Sequence, residues 1–428
     1  MVCAVWGGEI GGQVLTPPRY IPNYANFVPG KTPVLYSGPY WDHREIDAAT
    51  KALTEGAWLT SGEYVARFQG RFAQKFNVKN ALMVNSGSSA NLVMLAALKK
   101  RFGWKDGDEI IVSPVGFPTT IAPIVQNGLK PVFADIEMGT LNFDPAPSDF
   151  TPRTKAIFVS PVLGNPPDMD RLRQLVYRTG VLLIGDHCDS LGTRWDGKLL
   201  NELYCAWSTS FYPAHHITTG EGGMVCSDDK GLMDIARSVA SWGRACYCVG
   251  AANLLPCGTC GKRFSDWLGD GGVSDHKYIF DNLGYNLKPS LDLQGAIGLV
   301  QLSKFDEIEN KRRANERAIG AFFEDSERVR VADTEEGSDP SWFGVPLICR
   351  NQAVKENLVA HFEANKIQTR SYFAGNLLRH PGFRHLGNAA DFPNADLALK
   401  RVFFLGVAPH YTPEVIEYIG KVFSQWNA

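Results

Sequence analysis

A chain of 428 residues with 44% apolar and 21% charged side chains has the make-up of an ordinary globular protein, long enough for a large core and a smaller second unit. Its net charge of −2 leaves no surplus of Lys and Arg to neutralise phosphates, which argues against nucleic acid as the main partner. No stretch approaches the roughly 20 apolar residues of a membrane-spanning helix, and Met1–Leu15 lacks the cationic start and apolar centre of a secretory signal.

Residues 1–40, rich in Gly and Pro, predict an N-terminal arm lying on another surface. From Asp42 the spacing of Ile46, Ala49, Leu53 and Ala57 predicts a helix. Ala81–Val84 predicts a strand that leads through Asn85-Ser86-Gly87 into a helix over Ser88–Lys100. Further apolar runs predict strands at Glu109–Val112, Pro131–Ala134, Ala156–Val159, Val181–Ile184, Ala206–Ser210 and Gly223–Cys226. Strands alternating with helices imply an α/β fold with a mostly parallel sheet covered on both faces, in a large domain over 41–290. Within it, 244–275 break the rhythm with Cys, Gly and turn pairs. A long helix is expected from Asp292 to about Glu324. It opens a region, 291–428, that continues as a smaller α+β domain with a strand at Trp342–Ile348 and helices at Val354–Asn365 and Pro413–Trp426.

Ser86-Gly87-Ser88-Ser89 falls where a strand gives way to a helix, so free N–H groups and the positive end of a helix dipole meet there. The motif fits either a phosphate cradle or a plain N-cap. Asp186 ends the apolar run Val181–Gly185, at the sheet edge where ligands of open α/β folds collect. A carboxylate there either keeps a pyridinium nitrogen protonated, which makes the ring an electron sink, or caps a following helix. Phe117, in Gly116-Phe117-Pro118-Thr119-Thr120, either stacks on the same ring or packs in the core.

Gly87-Ser88-Ser89, Phe117, Asp186 and the run Ser210-Phe211-Tyr212-Pro213-Ala214-His215-His216-Ile217-Thr218-Thr219-Gly220-Glu221-Gly222-Gly223 resemble the nucleotide-sugar aminotransferases, vitamin B6-dependent enzymes of aminotransferase fold type I. The likeness covers nearly the whole chain after residue 35. It implies that Ser210 binds the cofactor phosphate and that Asp189 lies near the ring hydroxyl. Five residues beyond Ser210 the family carries the lysine that binds the cofactor covalently; here that residue is His215. Counting back from Gly220-Glu221-Gly222-Gly223 puts His215, not His216, on the lysine position. Imidazole forms no stable Schiff base, so the expected cofactor is pyridoxamine 5'-phosphate (PMP, the amine form of PLP), held without a covalent bond. His215 would move one proton near neutral pH. Within the family this replacement resembles the sugar 3-dehydrases, which implies loss of the C3 hydroxyl from a nucleotide-linked 4-keto-6-deoxyhexose.

Nine cysteines, an odd number partly clustered in an enzyme-like chain, point to a metal site and a reducing, cytoplasmic setting rather than to disulfides. Cys188, Cys246, Cys248 and Cys260 offer four thiolates, suited to a 2Fe-2S cluster or to zinc. Cys188 follows Asp186 by two residues, which favours redox work beside the cofactor. The pattern resembles the iron–sulfur 3-dehydrases of the CDP-6-deoxy-4-keto-glucose type: 57 residues separate Cys188 from Cys246, and Cys-x-Cys follows. The last gap is eleven residues rather than that group's seven, so Cys257 competes with Cys260 for the fourth place. Cys260 is preferred because Gly261-Lys262-Arg263-Phe264 follows it. The chain carries no flavin or nicotinamide fingerprint, so the resemblance implies a separate NAD(P)H-dependent flavin/iron–sulfur reductase. Cys3, Cys205, Cys226 and Cys349 are expected to be small buried residues.

Gly284-Tyr285-Asn286-Leu287 resembles the segment whose Asn reaches the partner's cofactor phosphate, so a homodimer is expected. Arg370 is expected at the sugar-nucleotide end, facing a diphosphate. Pro161-Val162, where the family commonly has His-Thr, leaves the nucleotide open. Two other readings stand beside the reductive one. One is an iron-independent sugar 3-dehydratase/deaminase using glutamate; the other is a zinc-stabilised, non-catalytic sugar-nucleotide binding protein.

Overall fold

In the computed structural model, which describes residues 24–56, 59–246, 264–266, 268–271 and 278–427, the apolar runs pair into one seven-stranded sheet. Its strands are β1 (Asn80–Val84), β2 (Glu109–Val112), β3 (Lys130–Phe133), β4 (Thr154–Val159), β5 (Leu182–Asp186) and, past a short ribbon β6–β7 (Arg194–Trp195, Lys198–Leu199), β8 (Ala206–Ser210) and β9 (Gly223–Ser227). The spatial order is β1-β9-β8-β5-β4-β2-β3. Only β9 runs against its neighbours β1 and β8, so the other six strands end on one edge.

Helix α1 (His43–Glu55) packs on the helix at Leu293–Ser303, and α2 (Glu63–Lys75), α3 (Gly87–Arg101), α4 (Pro118–Gln126), α5 (Met169–Thr179) and α6 (Lys230–Val239) pack on this sheet. Successive residues of β4 feed opposite cores. Ala156 and Phe158 join Met94, Leu95 and Ile124, whereas Ile157 and Val159 join Phe72, Leu172 and Trp207. Burial on both faces is why these strands read as unbroken apolar runs instead of alternating ones.

The single helix expected from Asp292 to Glu324 is two helices, α7 (Leu293–Ser303) and α8 (Phe305–Gly320). They break at Lys304, 3% exposed, whose ammonium lies 2.5 Å from Glu45 of α1. That buried pair turns the chain, and a 3-10 turn at Ala321–Phe323 ends the segment. Just before α7, Asp292 accepts hydrogen bonds from the backbone N–H groups of Gly62 (2.7 Å), Tyr64 (3.1 Å) and Val65 (2.9 Å). It thereby caps α2, whose own N-cap, Gly62, has no side chain to do so.

The C-terminal region holds β10 (Val329–Val331), β11 (Ser338–Asp339), β12 (Gly344–Cys349), α9 (Gln352–Ala364), β13 (Thr369–Ser371), α10 (Pro393–Arg401), β14 (Val402–Gly406) and α11 (Pro413–Asn427). Strands β10-β12-β14-β13 form an antiparallel sheet, while β11 extends the β6–β7 ribbon. Val345, Leu347, Phe362, Phe403, Leu405 and Phe423 make this region's core. Among the described residues, no helix is long and apolar enough to cross a membrane.

Candidate active site

The shared strand edge opens into a cavity of about 700 Å³. Ser86–Ser88, Phe117, Asp186, Cys188, Asp189, Ser210 and His215 line it from the large sheet, and Phe343, Arg370, Phe373 and Phe404 from the C-terminal region. Most of the residues singled out in the sequence are therefore gathered in one place.

Ser86 caps α3, its Oγ accepting from the Ser89 N–H at 3.1 Å. The helix geometry leaves the first-turn N–H groups without partners inside the helix. Ser88 Oγ donates to Thr119 Oγ1 at 2.9 Å. A Cβ on Gly87 would come within 2.6 Å of Ser210 Cβ and 2.9 Å of Cys188 Sγ, so glycine is what lets α3 abut the end of β8. The cradle of Gly87, Ser88 and Ser210 has the size and donor set for a phosphate.

Asp186 is the last residue of β5 and is 4% exposed. No helix follows it, which rules out the capping role. Its Oδ2 accepts from Asn91 Nδ2 and from Thr120 Oγ1, both at 2.8 Å, and its Oδ1 from the Cys188 N–H at 3.2 Å. Phe117 is 53% exposed and meets Phe373 edge to face, with centroids 6.3 Å apart. It faces the cavity and is not a core residue.

His215 follows β8 in a turn, with Nδ1 3.5 Å from Asp189 Oδ1 but outside hydrogen-bond geometry. Burial, and then the Arg312 guanidinium, push the imidazole down to about 3. Burial and the neighbouring Asp186 push the Asp189 carboxyl up to about 7. Both shifts favour the uncharged partner, so the pair is not a salt bridge of fixed charges: near neutral pH the imidazole is unprotonated, and burial makes it a weaker base than the ordinary imidazole the sequence suggested. His216 points away and lies against Ser341, its Nε2 3.0 Å from the Ser341 carbonyl oxygen. It packs behind the site and does not line the cavity.

Arg370 lies at the mouth, its guanidinium 4.2 Å from the centre of the Tyr36 ring and donating to the Thr369 carbonyl at 2.8 Å. Asn286 is exposed, bridges to Ser241 and does not line the cavity of its own chain. Around it stand the exposed side chains of Leu283, Tyr285, Phe280 and Trp242.

The cysteines divide. Cys188 lines the cavity, its thiol pushed well up by burial and by Asp186. Cys246 is buried at the edge of the described chain, and Cys248, Cys257 and Cys260 lie outside the described residues, as does Cys3. Among the described residues no three His, Cys, Asp or Glu side chains gather as a metal site. Cys226 and Cys349 are buried as expected, but Cys205 is exposed, on the bend that leads into β8.

Four residues of the site escaped the sequence reading. Asn91 and Thr120 hold Asp186, and Phe343 packs its ring on His215 with centroids 5.3 Å apart. Asn91 left a trace, a lone amide in the apolar run Ala90–Leu98. Arg312, fully buried behind His215, left none, because Lys311-Arg312-Arg313 reads as a solvated charge run.

A carboxylate at one strand end, a phosphate-sized cradle at another and a small C-terminal α+β region over the same edge define aminotransferase fold type I. The model of the DegT/DnrJ/EryC1/StrS aminotransferase family matches residues 39–424, and the chain belongs to that family. It is 38% identical over 413 residues to a dTDP-4-dehydro-2,6-dideoxy-D-glucose 3-dehydratase of Saccharopolyspora spinosa, covering 94% of this chain and 88% of the relative. It is 36% identical to the lipopolysaccharide biosynthesis protein RfbH of Salmonella typhimurium, covering 95% and 96%. Among solved structures it resembles an Escherichia coli GDP-4-keto-6-deoxy-D-mannose-3-dehydratase with bound hydrated PLP, at 30% identity and a TM-score of 0.79, covering 91% of this chain and 98% of that one. A GDP-4-keto-6-deoxymannose-3-dehydratase with a trapped PLP-glutamate geminal diamine matches equally well, at 30% identity and a TM-score of 0.79, covering 91% and 99%.

Proposed function

We propose that the chain is a PMP- and 2Fe-2S-dependent 3-dehydrase that removes the C3 hydroxyl of a nucleotide-linked 4-keto-6-deoxyhexose. The observation that carries this reading is His215 on the lysine position of the family, in a cavity lined by no lysine among the described residues. The 3-dehydratase relatives support the reaction class.

When bound, PMP supplies an amine for the sugar ketone and a ring that accepts electrons. Gly87, Ser88 and Ser210 would hold its phosphate, with Ser89 completing the turn. Asp186, fixed by Asn91 and Thr120, would hold the ring nitrogen protonated, and Phe117 would pack against the ring. His215 takes up and returns the proton at Nε2 while Nδ1 stays turned to Asp189. Arg370 at the mouth pairs with the diphosphate.

A 2Fe-2S cluster held by Cys188, Cys246, Cys248 and Cys260 would supply single electrons delivered by a separate NAD(P)H-dependent flavin/iron–sulfur reductase. The support is the spacing of the four cysteines and the Cys188 sulfur beside Gly87 and Ser210. The exposed apolar patch around Asn286 supports a homodimer in which that residue serves the partner's site.

The second reading, an iron-independent dehydratase that uses glutamate, draws on the glutamate trapped in one relative. Incubation with a 4-keto-6-deoxyhexose nucleotide separates the two. A 3-deoxy product that needs reductase and NAD(P)H, and not glutamate, is expected. Turnover driven by glutamate alone would favour the second reading.

A further inference from the structure

We propose that Arg312 is a positioning residue for His215, clamping both the turn that carries the imidazole and the residue whose ring packs on it. This rests on the reading of His215 as the base. Arg312 sits on α8 and is 0% exposed. Its Nη2 donates to the carbonyl oxygens of Ala214 at 3.0 Å and of His215 at 3.3 Å, and its Nη1 to that of Phe343 at 3.4 Å. The Phe343 ring packs in turn on the imidazole.

One planar fork thus ties the backbone of the base to the backbone of its ring neighbour, two segments more than a hundred positions apart in the chain. Ser37 Oγ adds a second donor to the Ala214 carbonyl, at 2.7 Å. Buried guanidinium groups ordinarily take a carboxylate partner. Here the three acceptors are main-chain carbonyls of the site, and Nε has no hydrogen-bond partner among the described residues. A charge kept in the interior on such terms serves geometry: without it the 211–219 turn loses a side chain that hydrogen-bonds both the turn and Phe343. A lysine at this position keeps the charge but lacks the fork.

The test compares R312M and R312K with wild type, as holoenzyme on the 4-keto sugar and by amide hydrogen exchange without substrate. R312M is expected to lower kcat about 100-fold, as small misplacements of a reacting group do, with KM changed less than about threefold. Exchange should accelerate in 211–219 and not elsewhere. R312K should fall between R312M and wild type in kcat. Wild-type kcat in either variant overturns the proposal, and so does a loss accompanied by faster exchange throughout the chain, which marks a general structural prop. If R312M does not fold, R312K decides: a kcat loss of about tenfold at unchanged Tm supports the clamp, and wild-type kcat overturns it. Wild-type protein that turns over no 4-keto sugar sinks the dehydrase reading instead, and exchange in 211–219 still decides whether Arg312 holds the turn.

Discussion

The imidazole of His215 and the carboxyl of Asp189 share a buried corner in which each is driven towards its uncharged form. An imidazole in that state is unprotonated at neutral pH, and it forms no stable Schiff base with a cofactor. Replacing His215 with Asn is therefore expected to abolish loss of the C3 hydroxyl while PMP stays bound, read by product chromatography and by cofactor content. Turnover at the wild-type rate would remove His215 from the role. Gly87 makes a sharper steric case. Gly87→Ala puts a methyl 2.6 Å from Ser210 Cβ, an overpacking that typically costs about 1–3 kcal/mol. PMP affinity, read by fluorescence titration, should fall by about tenfold or more; wild-type affinity would show that the cradle has room to spare. Gly87, Phe117 and Asp186 could be placed at the sheet edge from the sequence because each follows or ends an apolar strand run, whereas Ser210 and His215 were singled out through the family resemblance; all five line one cavity. Asn91 and Arg312 were not legible, because each is marked out only by the partner it meets across the core.

Elements follow the same rule. The central strands were legible as apolar runs, since burial on both faces leaves no alternation to confuse. The break between α7 and α8 was not, because Ser303-Lys304-Phe305 carries no Gly or Pro to signal it, while Glu45, whose carboxylate meets Lys304, lies far away in sequence. The cap on α2 is equally non-local. Asp292→Ala would leave three backbone N–H groups unanswered at the start of α2. A loss on the order of 2–3 kcal/mol is expected, seen as a lower urea midpoint with an unchanged slope. An unchanged midpoint would mean that water replaces the carboxylate without penalty.

At the scale of the whole molecule, buried histidines tie stability to pH. Burial, then Arg312, lowers His216 well below its ordinary value and His410 to about 4. Neither His410 nitrogen has a hydrogen-bond partner among the described residues. The unfolded chain binds protons at these rings from about pH 6.5 downwards, the folded chain only near or below pH 4. Stability is thus fully present above about pH 6.5 and falls as pH drops towards 4, by on the order of 3 kcal/mol for His410 alone. His410→Phe should flatten that part of the curve in urea titrations from pH 7 to 4.5; an equally steep curve in the variant would assign the acid sensitivity elsewhere.

The cysteines bring the molecule back to its chemistry, since a cavity with a histidine and, among the described residues, no lysine fits dehydration with or without iron. The deciding measurement is iron, acid-labile sulfide and zinc on anaerobically purified protein, with PMP content from the same sample. About two irons and two sulfides per chain, with PMP retained, are what the reductive 3-dehydrase requires. Zinc alone, or no metal beside bound PMP, would contradict it and leave the glutamate-driven dehydratase as the better account of the same site.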